Sequence, residues 1–310
     1  MNKKVILDVD TGVDDALGII LAVQSGEMDI VGITTVNGNV SVDTATTNTC
    51  KILQLLGVEQ QIPVVRGAAK PLLRPPVFEH RVHGEDGIGG ALRDMPVHTS
   101  VTEGFAPDYI IEQVMRYPGE ITLIMTAPMT NLALALMKRP QLIHEIKEVI
   151  FMGGVVKGVG NVTPVAEYNM YVDPEAVKVV LHAGFPSLTL VGLDVTRQAL
   201  LIDAHITELG DTPIGRYVKE STSDYMKRYF ERNQVQACAL HDPLAVGVAL
   251  RPELVTTHAY YVDIETRSEL CDGQTICDFQ NRLKREPNVR VCTDVDADAF
   301  LRLFVQTLRT

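Results

Sequence analysis

Apolar residues recur along the chain in two alternating rhythms. Val5-Ile6-Leu7-Asp8-Val9-Asp10 is the β-branched and aliphatic run of a strand buried on both faces, and it breaks at Thr11-Gly12 before the helix-spaced Leu17, Ile20 and Leu21. Asp29 to Val36 reads as a second strand, Val42 to Leu56 as a helix stopped by Gly57, and Ile62 to Arg66 as a third strand. That start predicts a parallel sheet with right-handed crossovers. The rhythm lapses from Gly67 to Phe105, a length at which a connection is functional or disordered. It resumes with helices over Pro107 to Arg116 and Met129 to Met137, alternating with strands over Glu120 to Thr126 and Glu148 to Met152. A Gly-rich loop from Gly153 to Asn169 precedes a helix at Pro174 to His182 and a strand at Ser187 to Val191. Helices are expected at Ile214 to Phe230, Pro243 to Leu250 and Asp298 to Leu308. Tyr260 to Ile264, Gln274 to Cys277 and Val289 to Cys292 read as late strands that extend the sheet or form a small edge element. The pattern predicts an α/β fold: an open, mostly parallel sheet flanked by helices, Rossmann-like, in a single domain over residues 1–310. Its active site is expected at the carboxyl ends of the strands.

Composition narrows the classes. With 46% hydrophobic and 22% charged residues the chain has ample material for a core, and a net charge of −11 without a basic, aromatic-lined run argues against a nucleic-acid surface. Cys50, Cys238, Cys271, Cys277 and Cys292 are an odd, scattered set that reads as reduced thiols. The amino terminus enters a strand after Met1-Asn2-Lys3-Lys4, leaving no room for a signal peptide, and no apolar run approaches the roughly 18 residues of a membrane span. A soluble cytoplasmic protein is the expectation.

The chemistry concentrates at the first strand-to-helix corner. Asp8, Asp10, Asp14 and Asp15 place four carboxylates within eight residues, and helix capping accounts for one or two of them. The rest would repel one another unless a cation or shared protons relieved the charge, and all-oxygen ligands favour calcium or magnesium. An EF-hand loop starting at Asp8 would need Gly and Glu where Val13 and Ile19 stand. A P-loop would need Gly-Lys-Ser/Thr, which is absent. A magnesium phosphohydrolase of the haloacid dehalogenase type would use Asp8 as nucleophile and Asp10 as acid, but its Gly-Asp-x-x-x-Asp element is not found downstream.

Loops at neighbouring strand ends should converge on the same crevice. Asn37-Gly38-Asn39 follows the second strand and is an ordinary turn or a polar ligand contact; Thr126 ends the fourth, where its backbone carbonyl suits a hard cation. Behind Met152-Gly153-Gly154 come Asn161, Glu167, Tyr168 and Asn169, a mixture of amides, carboxylate and aromatic ring that suits a polyol. In His241-Asp242-Pro243 the aspartate is a helix cap or a distant metal ligand.

The Asp-x-Asp-x-Gly-x-Asp-Asp run from Asp8 to Asp15 resembles the signature of the inosine-uridine-preferring nucleoside hydrolases. Glu120-Ile121-Thr122-Leu123, Val149-Ile150-Phe151-Met152-Gly153-Gly154, Ala166-Glu167-Tyr168-Asn169, Asp173-Pro174-Glu175-Ala176, Val191-Gly192-Leu193-Asp194-Val195-Thr196 and His241-Asp242-Pro243 look like further blocks of that family, in its order. The resemblance implies calcium-dependent hydrolysis of the N-glycosidic bond of ribonucleosides to ribose and free base, as in nucleoside salvage, by a homodimer or homotetramer. It implies calcium held by Asp10, Asp15, the Thr126 carbonyl and Asp242, with Asp10 also the general base. Asp14, Asn39, Met152, Asn161, Glu167 and Asn169 match ribose-holding positions. His241 matches a histidine implicated in protonating the leaving base, and His83 one on a loop near that base; Tyr168 and Tyr229 can join them. Thr11, Ala127 and Tyr168 depart from the residues common in the family, Pro, Gly and Phe. A non-catalytic nucleoside- or sugar-binding protein is the remaining alternative.

Overall fold

The computed structural model describes residues 2–98 and 101–309. Thr99 and Ser100, within the long irregular stretch, lie outside the described residues. The first half runs β1 (Lys3–Val9), α1 (Val13–Gln24), β2 (Met28–Thr35), α2 (Val42–Leu55), β3 (Val64–Arg66), α3 (His80–His83), α4 (Ala106–Arg116), β4 (Thr122–Met125), α5 (Thr130–Lys138) and β5 (Glu148–Met152). The second runs α6 (Tyr168–Val172), α7 (Pro174–Leu181), β6 (Leu188–Val191), α8 (Leu193–Thr196), β7 (Leu200–Leu201), α9 (Asp203–Glu208), α10 (Pro213–Asn233), β8 (Cys238–Ala239), α11 (His241–Leu250), β9 (Val255–Tyr260), β10 (Val262–Ile264), β11 (Thr275–Cys277), β12 (Val289–Val295) and α12 (Ala297–Leu308).

Eight strands form one sheet in the order β3-β2-β1-β4-β5-β6-β12-β9. All neighbours are parallel except β9, which closes one edge antiparallel to β12. Its first six strands have the order 3-2-1-4-5-6 of a doubly wound sheet, so the direction of winding reverses between β1 and β4 and leaves a crevice there. Leu17 and Ile20 of α1, Leu53 of α2, Leu244 of α11 and Phe300 of α12 pack on one face. Ile110 of α4, Leu132 of α5 and Val177 of α7 cover the other. Covering both faces is why β1, β4, β5 and β6 read as nearly unbroken apolar runs.

Helix starts follow their capping residues. Ser41 Oγ accepts the Thr44 amide, Asp173 Oδ1 the Ala176 amide and Asp296 Oδ1 the Ala299 amide, with Pro174 at the first position of α7. The segment expected as one strand from Tyr260 to Ile264 is divided: β9 ends at Tyr260 in the main sheet, and β10 forms a separate hairpin with β11. The stretch after β3 is pinned at its root, where the Leu72 amide donates to Asp173 Oδ2 and Arg74 forms ion pairs with Glu175 and Asp272. No described helix is long and apolar enough to cross a membrane.

Candidate active site

The carboxyl ends of β1, β2, β4 and β5 and the amino ends of α1 and α11 meet around one cavity of about 960 Å³. At its floor, Asp14, Asp15 and Asp242 present carboxylate oxygens within 4.8 Å of one another, all buried. Asp15 is held from three sides: Oδ2 accepts the Gly12 amide at 2.9 Å and Asn39 Nδ2 at 3.2 Å, and Oδ1 accepts the Thr126 hydroxyl at 2.7 Å. Asp10 stands beside it, its Oδ2 accepting the Asn39 amide at 2.6 Å and its Oδ1 accepting Asn39 Nδ2 at 3.2 Å. The turn can come this close only because residue 38 is glycine; a Cβ there would overlap the Asp10 carboxylate.

Burial raises the proton affinity of every acid in this group, and that of Asp14 is pushed up to about 7. Asp15 adds repulsion to Asp10 and Asp14, and Asp14 adds it to Asp242. Asp14 Oδ1 is buried without a hydrogen-bond partner. Clustered hard oxygens, mutual repulsion and an orphaned lone pair fit a divalent cation, whose charge would lower all of these proton affinities. Asp8 is not part of the cluster: its Oδ1 accepts the Thr34 hydroxyl at 2.5 Å and Asn131 Nδ2 at 2.7 Å, which ties β1 to β2 and α5.

Above the floor the Gly-rich loop supplies complementary polar groups. Asn169 Nδ2 donates to the carbonyls of Thr126 at 2.9 Å and Met152 at 3.2 Å, leaving its Oδ1 for a ligand. The same bond occupies one lone pair of the Thr126 carbonyl and leaves the other free. Asn161 is the reverse case: Oδ1 accepts the Tyr168 amide at 2.9 Å, and Nδ2 remains as a donor. Glu167 accepts the amides of Gly154, Asn169 and Met170, which caps α6 and fixes its carboxylate at the cavity wall.

Two histidines and two tyrosines close the other side. His83 Nδ1 accepts the Val13 amide at the start of α1 at 3.1 Å, and burial pushes the ring down to about 3, so the imidazole is neutral. Tyr225 lies edge-on to it, with centroids 6.4 Å apart, and stacks on Tyr229 at 6.1 Å. His241 Nδ1 lies 2.7 Å from Thr196 Oγ1, and burial reinforced by Arg197 pushes this imidazole down to about 4. Asp14, Asn39, His83, Thr126, Met152, Asn161, Glu167, Tyr168, Asn169, Tyr229, His241 and Asp242 thus line one cavity, with Asp10 and Asp15 behind Asn39 and Thr126.

A sequence model of the family described as inosine-uridine preferring nucleoside hydrolase matches residues 5–302. The chain belongs to this nucleoside hydrolase family. The pyrimidine-specific ribonucleoside hydrolase RihA of Shewanella woodyi is 36% identical over 319 residues, covering 100% of this chain and 99% of the relative. Among solved structures, a plant nucleoside hydrolase, the PpNRh1 enzyme, aligns with a TM-score of 0.94 at 33% identity over 100% of both chains. The purine-preferring ribonucleoside hydrolase from Gardnerella vaginalis aligns at 0.91 and 34% identity, over 99% of this chain and 98% of that one. This nucleoside hydrolase is therefore an enzyme that cleaves the N-glycosidic bond of nucleosides.

Sequence reasoning overlooked several groups around the hydrolase cavity. Tyr225 lines it, and its spacing of four from Tyr229 on α10 is a signal that both share a face. Arg197 also lines it, and Thr196 meets His241, yet Thr196 ends and Arg197 caps a helix too short to show a period.

Proposed function

We propose that this protein is a calcium-dependent ribonucleoside hydrolase of nucleoside salvage that releases ribose and a free base from both purine and pyrimidine ribonucleosides. The observation that carries this reading is the buried trio Asp14, Asp15 and Asp242 at the floor of the cavity, where one carboxylate oxygen from each lies within 4.8 Å of the others and Asp10 stands beside Asp15. Asp10, Asp15, Asp242 and the second lone pair of the Thr126 carbonyl would hold the cation. Such an ion, when bound, would supply charge that neutralises the acids and makes the attacking water more acidic. The Asp10 carboxylate, steadied by both Asn39 donors, accepts the proton from that water. Asn161 Nδ2, Asn169 Oδ1, Glu167 and Asp14 grip the ribose hydroxyls, and contacts that tighten as the ring flattens toward an oxocarbenium ion lower the barrier.

The base then lies among His83, Tyr168, Tyr229 and His241. His241 is neutral near pH 7, so it stabilises the departing base by donating a hydrogen bond as a neutral ring. Relatives named for pyrimidine specificity and for purine preference are similarly close, which supports breadth over a narrow choice. Five free cysteines support a reducing compartment such as the cytoplasm, and the family resemblance supports a homodimer or homotetramer. The deciding experiment incubates the desalted enzyme with a panel of ribonucleosides and follows base release by chromatography, with metal analysis of the same sample. Free base from inosine and uridine and about one calcium per chain are expected from the single oxygen cluster. Phosphate release from a phosphoester instead, or full activity in metal-free enzyme, would overturn the proposal.

A further inference from the structure

Although α8 is only four residues long, its side chains reach both walls of the cavity. Asp194 accepts the Val156 amide at 2.8 Å and the Lys157 amide at 2.9 Å, and Arg197, which ends the helix, donates to the carbonyls of Val159 at 2.7 Å and Gly160 at 3.0 Å. Both thereby hold the loop that carries Asn161 and Glu167. Thr196 points elsewhere, at Nδ1 of His241.

Geometry alone leaves the direction of that hydrogen bond open, but satisfaction of the hydroxyl resolves it. Thr196 is 0% exposed, and among the described residues its hydroxyl has no hydrogen-bond partner other than His241. A buried hydroxyl proton needs an acceptor, and the Nδ1 lone pair is the one within reach. Were Nδ1 to carry the hydrogen, Thr196 would accept it and its own proton would be left desolvated and unpaired.

We propose that Thr196 is a positioning residue that donates to His241 Nδ1 and so fixes the imidazole in the tautomer protonated at Nε2. His241 lines the cavity and its Nε2 has no partner among the described residues, so this tautomer presents an N–H donor to the base. The ligand chemistry it selects is a nucleobase with a hydrogen-bond acceptor beside the glycosidic nitrogen. The opposite tautomer would present a lone pair there and repel that acceptor. This inference rests on the donor role of His241 proposed above.

Nitrogen NMR of the imidazoles should find His241 protonated at Nε2 in the intact enzyme and a mixture of tautomers in Thr196→Val; a proton on Nδ1 in the intact enzyme would overturn the assignment. In kinetics, Thr196→Val should lower kcat on inosine roughly 10- to 100-fold, at or below the smallest effects of losing a proton donor outright because the imidazole itself remains, with KM little changed. Cleavage of p-nitrophenyl riboside, whose leaving group needs little stabilisation, should fall less than about threefold. Thr196→Ser, which keeps the hydroxyl, should recover inosine cleavage to within about threefold, and Thr196→Val with His241→Ala should be no slower than His241→Ala alone, since the two act as a unit. Loss of inosine activity in His241→Ala but not in Thr196→Val would sink the role of Thr196 and leave that of His241 standing. Full inosine activity in His241→Ala would sink the donor reading itself, while the NMR result would still decide the tautomer.

Discussion

Asp8 and Asp10 lie two residues apart on one strand, and their partners separate their roles. Asp8 Oδ1 accepts from Thr34 and Asn131 while Oδ2 has no partner among the described residues, and Asn131 in turn accepts the Ala68 amide, so this carboxylate holds strands and loops in register. Asp10 meets Asn39 and the acidic cluster, where a proton acceptor is useful. Asp10→Asn keeps the size and one oxygen but removes the proton acceptor. Its kcat should fall by about two to four orders of magnitude, the usual scale of losing a general base, with melting temperature and metal content near those of the parent. Near-normal turnover in a folded, metal-loaded variant would remove Asp10 from that role. The crowding from Asp8 to Asp15 was legible because like charges packed against an apolar strand need an explanation. Which of the four acids joins the cluster was legible only through the family resemblance, because it depends on partners such as Thr34 and Asn131 that are remote in sequence. For Asp242 the local sequence left a helix cap and a distant metal ligand equally open, and the resemblance chose between them.

Elements were legible where burial or a full period marked them, more than by their length. β1, β2, β4, β5 and β6 announce themselves because each is buried on both faces, whereas β9 lies at the sheet edge with mixed exposure and carries no comparable run. The two-residue strands β7 and β8 and the short helices α3, α6, α8 and α9 are too brief for any period to emerge. Yet α6 and the segment before α3 are joined at the site. The Tyr168 hydroxyl lies 2.8 Å from the carbonyls of both Gly38 and Val77, and the Glu79 amide donates to the Asn39 carbonyl at 2.9 Å. One phenol thus pins the Gly-rich loop to the Asn39 turn and to the segment that leads to His83. Tyr168→Phe removes that pin and keeps the ring. A lost hydrogen bond of about 1 kcal/mol should raise KM for ribonucleosides roughly fivefold, with kcat reduced less. Proteolytic nicking between residues 67 and 98 should quicken by a similar factor, as it does when a segment opens more often. Unchanged KM and unchanged nicking would show that the ring alone holds the loops.

At the scale of the whole molecule, a net charge of −11 and five buried acids around one crevice make stability a question of what neutralises them. In metal-free protein the protons do part of this. Asp8 and Asp14 rise from an ordinary 3.8 to about 7 on folding, so their contribution is fully present below about pH 4 and is lost as pH rises through 7. His83 and His241 run the other way. Folding lowers them from 6.5 to about 3 and about 4, so the stability they contribute is present above pH 6.5 and is lost as pH falls. The two trends oppose each other, and the melting temperature of chelated protein alone therefore discriminates poorly. The increment produced by calcium is sharper, because the histidine contribution is common to both samples and largely cancels. Under the proposed function calcium would compete with protons for the acids of the cluster, so its increment should grow with pH. With calcium at about 100 times its dissociation constant, ligand linkage gives about 2.7 kcal/mol, a rise in melting temperature on the order of several degrees. The measurement is thermal unfolding with chelator and with calcium at pH 5 and pH 8, expecting a clear rise at pH 8 and a markedly smaller one at pH 5. An increment that is equal at the two values, or larger at pH 5, would mean that calcium binds somewhere other than among these proton-hungry carboxylates.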